Sequence, residues 1–102
     1  MTATWTAKQG DKHRQIAIDL TDITTTGASA VRFRMRNRAT GVLAVDADGT
    51  IATASRVTYQ FTGTQLDVVG YYDLEVMLTY PDGTETAPTS GYVTVVIEAK
   101  LS

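Results

Sequence analysis

Between Val31 and Arg38, apolar Val31, Phe33 and Met35 occupy every second position, and arginine fills positions 32, 34, 36 and 38 between and after them. Successive side chains of a strand leave opposite faces, so the segment reads as a strand with one dry face and one wet one. The same texture recurs. Val57, Tyr59 and Phe61 alternate with Arg56, Thr58, Gln60 and Thr62. Tyr72, Leu74, Val76, Leu78 and Tyr80 oppose Asp73, Glu75, Met77 and Thr79, and Val93, Val95 and Ile97 point inward on a last strand. Val42, Leu43 and Val45 begin the strand that returns from the turn Ala39-Thr40-Gly41. Upstream, Thr4 to Lys8 reads as an edge strand, and Ile16, Ile18 and Leu20 mark another.

Breakers punctuate these runs: Gly10-Asp11-Lys12, Asp46-Ala47-Asp48-Gly49, Gly63 to Gly70, Pro81-Asp82-Gly83 and Pro88 to Gly91. About seven strands with short turns predict an all-β chain, a single antiparallel β-sandwich of immunoglobulin-like type. The 102 residues fit one domain spanning 1–102, and a hydrophobic fraction of 43% suits a packed core rather than a disordered chain.

What is absent narrows the chemistry. Without cysteine there is no disulfide framework, thiolate metal cage or thiol nucleophile. A net charge of −2 gives no general attraction for nucleic acid, and no apolar run reaches membrane-spanning length. Met1 to Lys8 lacks the basic-then-apolar pattern of a secretory signal, so use without secretion is expected. His13 is the single histidine and lies in the polar stretch Lys12-His13-Arg14, which reads as a surface loop. Asp46, Asp48 and Gly49 lack the further oxygen ligands and distant carboxylate of a calcium loop, so turn chemistry is the reading for both aspartates. Asp73 and Glu75 share the outer face of one strand, where acids keep a sheet soluble rather than form a hydrolytic pair. Gly41, Gly49 and Gly83 read as isolated turn glycines, not a phosphate loop. No enzyme chemistry, metal or cofactor is expected.

Arg32, Arg34, Arg36 and Arg38 place successive guanidiniums about 7 Å apart along one strand face. They repel one another unless acids or a partner lie opposite. Three readings stand: a solvated face balanced by neighbouring acids, a contact surface, since arginine is enriched at interfaces, and, weakest, a nucleic-acid contact, against which the short stripe without interleaved aromatics and the acidic chain count. Trp5 is the lone tryptophan, either covering a sandwich edge or anchoring a neighbouring subunit. Tyr71 and Tyr72 adjoin, so their rings are expected on opposite faces with one of them exposed.

One stretch has a familiar cadence: Gly70-Tyr71-Tyr72-Asp73-Leu74-Glu75-Val76, then Leu78-Thr79-Tyr80-Pro81-Asp82-Gly83-Thr84-Glu85-Thr86-Ala87-Pro88, then Gly91-Tyr92-Val93-Thr94-Val95. It resembles the closing hairpin of the N-terminal domain of the tailed-phage upper baseplate protein family and its short phage and prophage relatives. Lys8-Gln9-Gly10-Asp11 resembles that family's opening. Asp19-Leu20-Thr21, Thr26-Gly27-Ala28 and Val31-Arg32-Phe33-Arg34-Met35-Arg36 resemble its second hairpin. The resemblance implies a β-sandwich that docks onto a phage particle and positions another component, acting alone because the chain ends with the domain.

The expected function is therefore that of a virion structural subunit in the tail, baseplate or head–tail region. Its partners would be other virion proteins, tail, baseplate or capsid, met in repeated copies set by particle symmetry. It would be made in the bacterial host cytoplasm, with no nucleic-acid or membrane partner. Two alternatives remain: a capsid decoration protein, and a carbohydrate-binding adhesion module using Trp5, Tyr71 or Tyr72 to stack a host glycan. For assembly, Trp5, the four arginines, Tyr71 and Tyr72 are the candidate contact residues, and Thr4 to Lys8 or Tyr92 to Ile97 the candidate open edges.

Overall fold

A computed structural model describes residues 4–20, 23–88 and 92–101. Among the described residues there are nine strands and no helix: β1 (Thr4–Lys8), β2 (Gln15–Asp19), β3 (Ala30–Asn37), β4 (Leu43–Asp48), β5 (Thr50–Thr53), β6 (Arg56–Gln60), β7 (Gly70–Tyr80), β8 (Gly83–Ala87) and β9 (Val93–Glu98). A six-stranded sheet runs β1-β9-β7-β3-β4, with β8 also paired to β7, and a three-stranded sheet runs β2-β6-β5. All neighbouring pairs are antiparallel except β1 and β9, which are parallel.

The alternation in the sequence becomes the core. Val31, Phe33 and Met35 of β3, Leu74, Val76 and Leu78 of β7, and Val93, Val95 and Ile97 of β9 line the inner face of the large sheet. Ile16, Val57 and Tyr59 answer from the small sheet. Stacked rings join the layers: Phe33 lies 5.4 Å from Tyr59, Tyr59 meets Phe61 edge-on at 5.2 Å, and Phe61 stacks on Trp5 at 5.2 Å. Burial on this scale, at roughly 25 cal/mol per Å² of apolar surface, is what holds the sandwich-like pair of sheets together.

Nine strands replace the expected seven or so for two local reasons. Asp46-Ala47-Asp48 is not a turn. Those residues complete β4, and only Gly49 interrupts the chain before β5 enters the other sheet. Glycine is required there by close approach, not by a turn: a Cβ at position 49 would sit 2.5 Å from the Phe33 ring and 2.6 Å from the Thr58 carbonyl oxygen. The closing hairpin is likewise divided. The first half of β7 pairs with β9 and the second half with β8, so β8 and β9 lie end to end along one side of β7. The expected break from Pro88 to Gly91 falls between them, with 89–91 outside the described residues, as is Thr21.

The expectation that Tyr92 to Ile97 forms an open edge is corrected. From Val93 onward this segment is β9, bonded on one side to β7 and on the other to β1, so its backbone groups are taken. Thr4–Lys8 does lie at an edge, as does β4 at the other end of the sheet.

Candidate interaction face

The strand registers fix what faces outward on the large sheet. Arg34 stands opposite Asp46 on one side and Glu75 on the other. Arg36 stands opposite Leu43 and Asp73, and Arg32 opposite Asp48 and Met77. The arginine row of β3 therefore runs between acidic positions on both neighbouring strands, and all four guanidiniums are engaged within the domain.

Arg32 donates from Nε to Asp46 Oδ1 at 2.6 Å and from Nη1 to Asp48 Oδ1 at 3.3 Å. The Asp46 hydrogen bond, then its charge, raises the Arg32 pKa. The two aspartates are therefore strand residues held by arginine, which corrects their reading as turn formers. Arg38 donates from Nε and Nη2 to Asp73 Oδ1 at 3.1 and 2.7 Å. Arg34 and Arg36 are more loosely held, 3.8 Å from Asp46 and from Asp73 respectively. Pairs this exposed screen repulsion more than they stabilise the fold.

Aromatic and aliphatic side chains sit among these charges. Tyr71 is 58% exposed with the Arg38 guanidinium 5.8 Å from its ring centre, and Tyr92 is 41% exposed with Arg36 at 5.9 Å. Val42 and Leu43, where β4 begins, are exposed as well. Arg34, Arg36, Leu43, Asp73, Glu75 and Tyr92 line a shallow hollow of about 200 Å³. A face combining arginine, tyrosine and exposed aliphatic groups has the composition of a protein contact surface.

Of the residues singled out in the sequence, Arg32, Arg34, Arg36, Arg38 and Tyr71 share this face. Tyr72 does not: it is 2% exposed and its hydroxyl donates to the Val68 carbonyl at 2.7 Å, so it is a core residue and not a contact. Trp5 faces inward from β1, half-buried on Phe61, with the Arg14 guanidinium 4.9 Å over its ring. Of the three residues offered for a glycan platform, Trp5, Tyr71 or Tyr72, only Tyr71 lies exposed on this face. Tyr92 and Leu43 were not anticipated. The signal for Tyr92 was present, since Val93, Val95 and Ile97 pointing inward requires Tyr92 to point out.

His13 is exposed in the loop between β1 and β2. Among the described residues no three His, Cys, Asp or Glu side chains come together as a metal cluster, and no helix is long and apolar enough to cross a membrane. No protein-family model and no curated protein sequence matches the chain.

Proposed function

We propose that this chain is a structural subunit of a tailed-phage virion, a small tail, baseplate or head–tail adaptor of immunoglobulin-like type that acts by protein–protein assembly. The strand order supports the fold type. With β1 beside the closing strand, β9-β7-β3-β4 against β2-β6-β5 follows the variable-type immunoglobulin plan, in which the fourth strand joins the larger sheet. The carrying observation for function is the outer face of that sheet, where exposed Tyr71, Tyr92 and Leu43 lie among an arginine row largely paired within the domain. Such a surface is desolvated at lower cost than a row of free charges, because the four guanidiniums share Asp46, Asp48 and Asp73 as counter-charges within the domain. The mechanism is docking by shape and paired polar contacts, with no chemical step.

Gold-labelled antibody to the chain, applied to purified phage particles from the strain that encodes it, tests the reading. Label at the tail, baseplate or neck is the expected result. Label over the capsid would replace it with a decoration role, and particles that carry no label would overturn the virion assignment.

A further inference from the structure

We infer that Arg14 and Arg32 are edge guards, which keep the β1 and β4 edges of the large sheet from pairing with a second copy of this chain. The inference stands on backbone geometry and does not depend on the virion reading.

In an antiparallel pair, alternate residues turn their N–H and C=O toward the neighbour and the others turn them away. The Gly49 N–H bonds to the Val31 carbonyl at 2.9 Å, and the pairs Phe33 with Ala47 and Met35 with Val45 share that phase. Asp46 therefore directs its own N–H and C=O outward from β4, toward the free edge. Arg32 reaches across the outer face, and its Nη2 donates to that Asp46 carbonyl at 2.9 Å. One side chain thus holds both the carboxylate and the outward backbone acceptor of the same residue.

The β1 edge is closed by the same chemistry. The Gln9 N–H bonds to the Glu98 carbonyl at 2.7 Å, which sets the phase of the parallel β1–β9 pair and turns Thr6 and Lys8 outward. Arg14 Nη2 donates to the Thr6 carbonyl at 3.1 Å. Asp11 closes the next residue: its carboxylate accepts from the Lys8 N–H at 3.2 Å, and its own N–H donates to the Lys8 carbonyl at 3.2 Å. Arg14 is held in place by Asp11 at 3.4 Å and by the Trp5 ring beneath it. An open edge is a template for another strand, and occupying its outward acceptors with a bulky cation removes that template. Self-association through β1 and β4 is thereby blocked.

The test compares Arg14→Ala, Arg32→Ala and the double variant with Arg56→Ala, each checked for the wild-type circular dichroism spectrum. Arg56 is the matched control, since it is an exposed arginine paired to an aspartate, Asp19, at 2.7 Å, with no bond to an edge carbonyl. Sedimentation velocity across a concentration series reads the mass. The guard variants are expected to self-associate at concentrations where wild type and Arg56→Ala sediment as monomers, although every variant is more acidic and more self-repelling than wild type. Amide exchange should slow at Thr6 in the Arg14 variant and at Asp46 in the Arg32 variant as association proceeds. Guard variants that stay monomeric, association by Arg56→Ala to the same extent, or association that leaves those amides unprotected would each overturn the inference. The single variants carry the test if the double variant does not fold.

Discussion

The two outer faces of this domain are built on the same pleat from different residues. On the large sheet, arginines, aspartates and exposed tyrosines interleave across β4, β3, β7 and the residue that leads into β9. On the small sheet, Gln15, Ala17, Thr58, Gln60 and Thr50 stand outward with a single ion pair, Arg56 to Asp19, and no large hydrophobic residue of β2, β5 or β6 is exposed. Solubility alone is served by the plain face. The richer one carries more charge and more apolar surface than solubility requires, which is why function is assigned to it.

Removing what the faces share should have the largest effect. Phe33→Ala takes away the ring that joins the layers, and a loss of about 3–5 kcal/mol in urea unfolding is expected. Gly49→Ala forces a methyl into the Phe33 ring and the Thr58 carbonyl, with an expected loss of about 1–3 kcal/mol. Either variant unfolding at the wild-type midpoint would mean that the crossing between sheets is not where the layers are locked.

The comparison itself is sharpened by binding. Tyr71→Ala and Tyr92→Ala should each weaken partner binding by about tenfold or more in calorimetric titration, as truncation of an aromatic anchor does. Gln15→Ala and Thr58→Ala on the plain face should leave binding unchanged. Equal losses on both faces would erase the distinction.

Smaller still is the effect of Asp73→Asn. Asp73 is the acid shared by Arg36 and Arg38, and its loss should lower stability by about 1 kcal/mol. The smallest effect concerns the plain face. Hydrogen bonding from Arg56 holds the Asp19 carboxyl below the usual carboxylate range, against an opposing desolvation. Because the folded-state value is the lower one, the pair's contribution is complete above about pH 4 and is lost as pH falls through the folded value. Asp19→Asn should flatten that part of the acid dependence of the unfolding midpoint; an unchanged acid limb would contradict it.

How much of this was legible in sequence follows from the range of each interaction. The dry and wet faces of β3, β6, β7 and β9 were readable because period-two alternation is a local property. That Asp46 and Asp48 belong to β4 was not, because aspartate before glycine has turn chemistry of its own, and what overrides it is Arg32 across the strand pair. The role of Gly49 was hidden for a related reason: its constraint is an aromatic ring 16 positions earlier, not its own backbone angles. The burial of Tyr72 was implied once Tyr72, Leu74 and Val76 were placed on one face. The closed edges at Thr6 and Asp46 depend on hydrogen-bond phase, which no side-chain pattern reveals.

The central claim is that the outer face of the large sheet makes the assembly contact. Incorporation of tagged chain into phage particles tests it most directly, comparing wild type with a Tyr71→Ala, Tyr92→Ala double variant and a Gln15→Ala, Thr58→Ala double variant. Loss of incorporation for the tyrosine variant alone is the predicted result. Tyrosine variants that enter particles as well as wild type, or plain-face variants that fail to, would contradict it.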